Sequence, residues 1–266
     1  MEPSRRLFVD RLEVRIFSTR DEMGKACAME AGKALREILA RQAEASIIFA
    51  SAPSQLEMLA ALREETGIDW GRVNAFHMDE YIGLPADAPQ SFGNYLRTRF
   101  FTKLPFRNVY YMDGNAPDPE AECERYADLL RTHPVDISFV GIGENGHLAF
   151  NDPYMADFND THLVRVNGNL DDVCRQQQVT DGWFKSLEDV PDQAITITLP
   201  ALVAAKYVYA VVPGPTKQKI VKQCLEGEIG TECPATILRQ RECAQLYLDV
   251  DSAAMLDLTR VEDALA

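Results

Sequence analysis

An open, mostly parallel α/β sheet with helices on both faces, held in a single domain over residues 1–266, is the fold that the sequence predicts. Two observations predict it. Short apolar runs rich in β-formers alternate with longer helical patterns, as in chains whose parallel strands are covered on both sides. No internal repeat, low-complexity tract or Pro/Gly-rich linker divides the 266 residues, and α/β folds of this length often form one domain.

In chain order, residues 46–50 read as a buried strand. The stretch 56–65 reads as a helix with Leu56, Leu59, Ala60 and Leu62 on one side. Residues 72–76 form the next strand, and Ser91 is placed to cap a helix carrying Tyr95, Leu96 and Phe100. A short strand at 108–111 and a helix at 119–130 lead to a strong strand at 136–140, which runs directly into Gly141-Ile142-Gly143. Strands at 194–198 and 207–212, a helix at 216–225 and a final strand at 246–248 complete a Rossmann-like alternation. In such sheets ligands sit beyond the carboxyl ends of the strands. The places to look are therefore the loops after Ala50, Phe76, Val140 and Val212.

Composition narrows the function. An apolar share of 46% and a charged share of 26% are those of an ordinary globular chain. The net charge of -14 and a pI near 4.8 argue against a general nucleic-acid or anionic-membrane partner, because both polyanions would be repelled. Six scattered cysteines, Cys27, Cys123, Cys174, Cys224, Cys233 and Cys243, make no C-x-x-C pair. Neither zinc spacing nor a disulfide framework is expected. No signal peptide or membrane-spanning run is indicated, so a cytoplasmic location is expected.

The loop after Phe76 carries adjacent carboxylates, Asp79 and Glu80. At the end of a buried strand such a pair is costly unless solvated, paired or used. The competing reading is that one acid caps a helix or forms an ion pair. The loop after Val140, Gly141-Ile142-Gly143-Glu144-Asn145-Gly146-His147, has glycines that allow close backbone approach to a ligand. Its Gly-x-Gly-x-x-Gly is a weak dinucleotide signal, since it comes mid-chain and a histidine follows the third glycine. His147 has Glu144 and Asp152 nearby in sequence. A carboxylate holding one imidazole nitrogen leaves the other free for proton transfer. The loop Ser51-Ala52-Pro53-Ser54-Gln55 opens a helix, where an anion can bind, although Ser54 is equally suited to simple N-capping. Lys217, in Gly214-Pro215-Thr216-Lys217, adds one cation, or is a solvated surface lysine.

Taken together, Met78-Asp79-Glu80-Tyr81-Ile82-Gly83-Leu84-Pro85, the Gly141–Gly146 loop with His147-Leu148-Ala149-Phe150-Asn151-Asp152-Pro153, Gly214-Pro215-Thr216-Lys217 and Cys233-Pro234-Ala235 resemble the glucosamine-6-phosphate deaminase/isomerase family. The resemblance spans residues 47–248. It implies an enzyme that needs no metal or organic cofactor, opens the ring of glucosamine 6-phosphate, isomerises aldose to ketose and releases ammonia to give fructose 6-phosphate. By the same resemblance Asp79 is the acid-base group between C2 and C1, and His147 assists ring opening. Asp152 orients His147 and Asn145 stands beside it. Substrate contacts fall to Ser51, Ala52, Ser54, Gln55, Glu80, Gly146 and Lys217, with Lys217 at the phosphate. Some members are hexamers, so a homo-oligomer is one expectation.

The chain departs from the family pattern in four places. Its phosphate loop lacks the usual glycines and threonines, and Pro53 removes an amide donor. Asn145 replaces an aspartate found in several members, and Asp152 replaces the usual glutamate. No arginine matches with certainty in the 175–179 segment. A differently configured amino sugar, or another ketose product, therefore stays open. The enzymatic alternative is 6-phosphogluconolactonase, a lactone hydrolase of similar fold. An alternative of another class is a non-catalytic sugar-phosphate sensor. Such sensors carry an N-terminal DNA-binding module, and no helix-turn-helix is expected here.

Overall fold

In the computed structural model, which describes residues 2–257, the core strands are apolar on successive residues because they are buried on both faces. The elements in order are β1 (Arg5–Val9), β2 (Leu12–Phe17), α1 (Arg20–Arg41), β3 (Ala45–Phe49), α2 (Leu56–Arg63), β4 (Val73–His77), β5 (Asp79–Tyr81) and α3 (Phe92–Arg99). They continue as β6 (Asn108–Tyr110), α4 (Pro119–Thr132), β7 (Ile137–Val140), β8 (Val164–Asn167), α5 (Asp172–Thr180), β9 (Ala194–Ile197), α6 (Leu199–Val203), β10 (Tyr207–Val212), α7 (Gln218–Glu226) and β11 (Ala244–Asp249).

The main sheet has eight strands in the order β1-β2-β11-β10-β7-β3-β4-β6. It is parallel except for the β1–β2 hairpin. Its two-residue period divides the core in two. Ile47, Phe49, Phe139, Tyr209, Val211 and Tyr247 pack with α1, α2 and α3 on one face. Ile48, Phe76, Val140, Ala210, Leu246 and Leu248 pack with α4, α6 and α7 on the other. Successive side chains alternate across a pleat, so a strand that serves both layers is mostly apolar on both faces, with Ser46, Asn74 and Ser138 as buried polar exceptions. Among the described residues no helix is long and apolar enough to cross a membrane.

The strand at 194–198 does not lie in the main sheet, contrary to the sequence expectation. It is β9, the centre of a second, antiparallel sheet ordered β5-β9-β8. The chain leaves β4 at His77, turns at Met78, whose carbonyl accepts from Ile197 N–H at 2.9 Å, and continues as β5. Asp79 is thus a strand residue of this second sheet rather than part of a loop. A short run of β-branched residues such as Ile195-Thr196-Ile197 pairs equally well in either sheet, so periodicity alone does not choose its partner.

From β3 the chain builds outward through β4 and β6, then returns to the other side of β3 as β7. This reversal between β3 and β7 is the topological switch point, where the loops leaving adjacent strands diverge and open a crevice.

Candidate active site

The crevice is occupied by the loops after β3, β7 and β10, with β5 as its floor. Ser51, Ala52, Pro53 and Ser54 line it from β3, and His147 from β7. Lys217 lines it from the turn before α7, and Asp79 from β5. The first two loops nearly touch: a Cβ on Gly141 would lie 3.3 Å from Ser54 Oγ.

Asp79 and Glu80 are separated by the strand pleat. Asp79 faces the cleft, and among the described residues no group donates a hydrogen bond to its carboxylate. Burial pushes its pKa well above the usual carboxylate value, and the Glu80 charge adds to the rise. Behind it, His77 is fully buried, accepts from Met112 N–H at Nε2 and donates from Nδ1 to the Asp79 carbonyl, both at 2.9 Å. Those two bonds fix its tautomer and pin the Asp79 backbone. Glu80 points the other way and caps α3, accepting from Ser91 Oγ (2.8 Å), Phe92 N (3.1 Å) and Gly93 N (2.9 Å). A carboxylate at a helix N-terminus meets free N–H groups and the favourable end of the dipole. That arrangement makes burial of this second charge tolerable.

His147 is held through an intermediary. Asp152 is completely buried, and its Oδ1 accepts from Asn145 Nδ2 at 2.9 Å. Its Oδ2 accepts from Asn167 Nδ2 at 3.2 Å and from Asp171 N–H at 3.1 Å. Because carboxylates only accept, the Asn145 amide must turn its NH2 toward Asp152 and its oxygen toward His147. Asn145 Oδ1 is 2.6 Å from His147 Nδ1, so Nδ1 carries the hydrogen and Nε2 keeps its lone pair. Asp152 itself stands 3.6 Å from Nδ1, beyond a good hydrogen bond. Burial lowers the His147 pKa below its ordinary value, Asp152 and Asp171 oppose the shift, and Lys217 reinforces it. The ring is therefore neutral near neutral pH, with Nε2 able to accept a proton.

This relay makes a directional prediction. Asn145→Asp places a negative charge against Nδ1, and an opposite charge so close favours the imidazolium. The His147 pKa should rise. Titrating the imidazole Cε1–H by NMR measures it, and an unchanged pKa would show that Asn145 is not the group against Nδ1.

Two glycines set the histidine in place. Gly146 has φ +88, and a Cβ there would lie 2.9 Å from Cys233 Sγ. At Gly143 a Cβ would lie 2.0 Å from His147 Cε1 and 2.2 Å from Nε2, so the ring occupies the volume where a side chain would be. Ala149, next to the cleft, holds φ +50. The Asn151 amide braces that turn, donating to Leu148 O and Ile197 O at 2.8 Å.

The Lys217 ammonium, which also lines the cleft, forms no ion pair or hydrogen bond with any described residue. Burial lowers its pKa, while Glu144 and Asp181 work against the shift. A desolvated cation without a partner favours an anionic ligand. For a metal, the donor atoms of His147, Asp152 and Cys174 lie within 4.8 Å of one another. Both Asp152 oxygens and His147 Nδ1 are already committed to hydrogen bonds, and burial keeps the Cys174 thiol protonated. The trio would have to be rebuilt to bind an ion.

Of the expected site residues, Asp79, His147, Ser51, Ala52, Ser54 and Lys217 line one cleft, with Asn145 and Asp152 directly behind His147. Three expected substrate contacts lie elsewhere. Glu80 is turned away by the pleat. Gly146 is packed on Cys233. Gln55 is buried and donates to Val211 O at 3.1 Å. Arg175 is also elsewhere, held by Asp172 and by the carbonyls of Leu187 and Val190. His77, Asn167 and Arg20, which also reaches the cleft, were outside the expectation. Their contacts are tertiary and carry no local spacing signal.

The geometry has close parallels. A family model described as glucosamine-6-phosphate isomerases/6-phosphogluconolactonase matches residues 18–248. A glucosamine-6-phosphate deaminase of Bacillus cereus (strain B4264) is 33% identical over 227 residues, covering 85% of this chain and 84% of that protein. One from Bacillus cytotoxicus is 32% identical over the same shares. Among solved structures, a monomeric glucosamine-6-phosphate deaminase superposes with a TM-score of 0.83 at 26% identity, covering 91% of this chain and 99% of that one. A 6-phosphogluconolactonase from Thermotoga maritima, at 20% identity and TM-score 0.72 over 89% of this chain and 98% of its own, shares the fold.

Proposed function

This chain belongs to the family of glucosamine-6-phosphate isomerases and 6-phosphogluconolactonases, and we propose that within it the chain isomerises and deaminates an amino-sugar phosphate, glucosamine 6-phosphate being converted to fructose 6-phosphate and ammonia. The observation that carries this reading is the meeting, in one cleft, of a cleft-facing carboxylate of raised pKa, Asp79, with a neutral imidazole whose Nε2 is a base. A carboxylate of ordinary pKa is a weak base at pH 7. One raised by burial removes a carbon-bound proton more readily.

In the proposed reaction His147 Nε2 takes the proton of the C1 hydroxyl and returns it to the ring oxygen, opening the sugar. Asp79 then takes the C2 proton and delivers it to C1 while a proton of the amine passes to O1, so the C1 carbonyl becomes a hydroxyl and the unsaturation moves to C2 as an imine. Water adds to C2, and ammonia leaves with the proton balance closed by the medium. One base serving two adjacent carbons needs no second group, provided the chain of the sugar is held still. Lys217 and the Ser51–Ser54 hydroxyls supply that hold at the phosphate. The lactonase alternative uses no carbon acid and gives Asp79 no role. A sensor would need neither Asp79 nor the His147 relay. We read residues 1–266 as one such domain.

The phosphate contact is tested by Lys217→Ala. A charge-assisted hydrogen bond commonly contributes about 1.5 to 3 kcal/mol, so the KM for glucosamine 6-phosphate should rise about tenfold or more, with a smaller change in kcat if the contact is uniform. Equal turnover of the sugar with and without its phosphate, together with an unchanged KM in Lys217→Ala, would remove the phosphate from this site.

A further inference from the structure

We propose that Arg20, at the start of α1, is a second cation for the anionic end of the substrate and sets the preference for a phosphorylated sugar; this rests on the phosphate reading above. Arg20 lies far in sequence from every motif that singles out the cleft, yet its side chain lines the cleft beside Ser54, with Lys217 among the other lining residues.

Its placement is otherwise unfavourable. Arg20 is the first residue of a 22-residue helix capped by Thr19, where the helix dipole disfavours a cation and favours acids such as Asp21 and Glu22. Something else must make the charge worthwhile. One compensating group is Glu57, whose Oε1 lies 2.7 Å from Arg20 Nε. The contact is close but not aligned, since Arg20 Nε and Glu57 Oε2 both lack a hydrogen-bond partner. Arg20 Nη2 donates to the Pro53 carbonyl.

The guanidinium is thereby tied to the loop in which Pro53 removes an amide donor. An arginine fork can replace lost backbone donors, since it presents several N–H groups in one plane and matches phosphate geometry. Close packing of the helices fixes its reach. One turn along α1, a Cβ on Gly24 would lie 2.6 Å from Glu57 Cβ and 2.8 Å from Met58 N. No bulkier residue there would let α1 bring Arg20 so near the loop.

The test compares wild type, Arg20→Met, Arg20→Lys and Lys217→Ala. It reads KM and kcat for glucosamine 6-phosphate, the inhibition constant of inorganic phosphate, and the melting temperature. Arg20→Met keeps the apolar stem and removes the charge. It should raise both KM and the phosphate inhibition constant about ten- to a hundredfold, with kcat changed less than about threefold. Arg20→Lys should recover part of the loss. An unchanged phosphate inhibition constant in Arg20→Met would overturn the proposal. So would a loss confined to kcat and melting temperature, which would make Arg20 a brace for the Pro53 loop. If Lys217→Ala weakens phosphate and Arg20→Met does not, only Arg20 is wrong. If phosphate fails to inhibit wild type, the phosphate reading itself falls.

Discussion

Asp79→Asn should lower ammonia release from glucosamine 6-phosphate by two to four orders of magnitude, about 3 to 5 kcal/mol of barrier, because a positioned base contributes on that scale. Its fold should survive. No described residue donates to the Asp79 carboxylate, so the amide breaks no hydrogen bond. The sign of the pKa shift points the same way. A carboxylate whose folded pKa is raised destabilises the native state once pH climbs above its unfolded value. Removing that charge at neutral pH should leave the melting temperature unchanged or slightly higher. Loss of activity with retained stability separates a chemical role from a structural one. Near-normal turnover of a pure amino-sugar phosphate would exclude Asp79 from the reaction.

The second large effect is expected at a residue with no functional group. Gly143→Ala must displace the His147 ring, whose Cε1 lies 2.0 Å from the new Cβ position, or shift the loop that carries it. Misplacing a catalytic group by about 1 Å costs on the order of a hundredfold in rate. A drop in kcat of that size or more is therefore expected. Overpacking typically costs about 1 to 3 kcal/mol of stability, which is only a few degrees in a protein of this length. The KM for the phosphorylated sugar should change little, since Lys217 and Ser54 lie in other loops. Full activity in Gly143→Ala, with the histidine unmoved in a crystal structure, would contradict the geometry described above.

What the sequence made legible follows from what is local. The strand ends after Ala50, Val140 and Val212 were readable because β3, β7 and β10 are largely apolar runs rich in β-formers, and strand order guarantees that their loops meet at one edge. Ser91 was readable as a cap because capping is a short-range bond, and its Oγ accepts from Asn94 N–H. Other features depend on distant partners. Helix α1 gave little signal because its buried face is mostly small: Gly24, Ala26, Ala28, Ala31, Gly32 and Ala34. The division of labour between Asp79 and Glu80 depends on the pleat of a three-residue strand whose existence depends on β9. Asn145 could be seen to replace an aspartate, but its place as a bridge depends on the Asp152 and Asp171 carboxylates, which accept from its Nδ2 at 2.9 and 3.3 Å and so turn its amide. Arg20 left one usable trace, a cation at the first position of a helix, where an acid is the usual choice.

The most direct measurement is product analysis of wild type and Asp79→Asn on a panel of hexosamine 6-phosphates, with 6-phosphogluconolactone as the control. On the proposed function, wild type releases ammonia and ketose phosphate one for one from an amino-sugar phosphate, Asp79→Asn loses both together, and neither protein hydrolyses the lactone at a comparable rate. Rapid lactone hydrolysis that survives in Asp79→Asn, with no ammonia from any amino sugar in the panel, would contradict it.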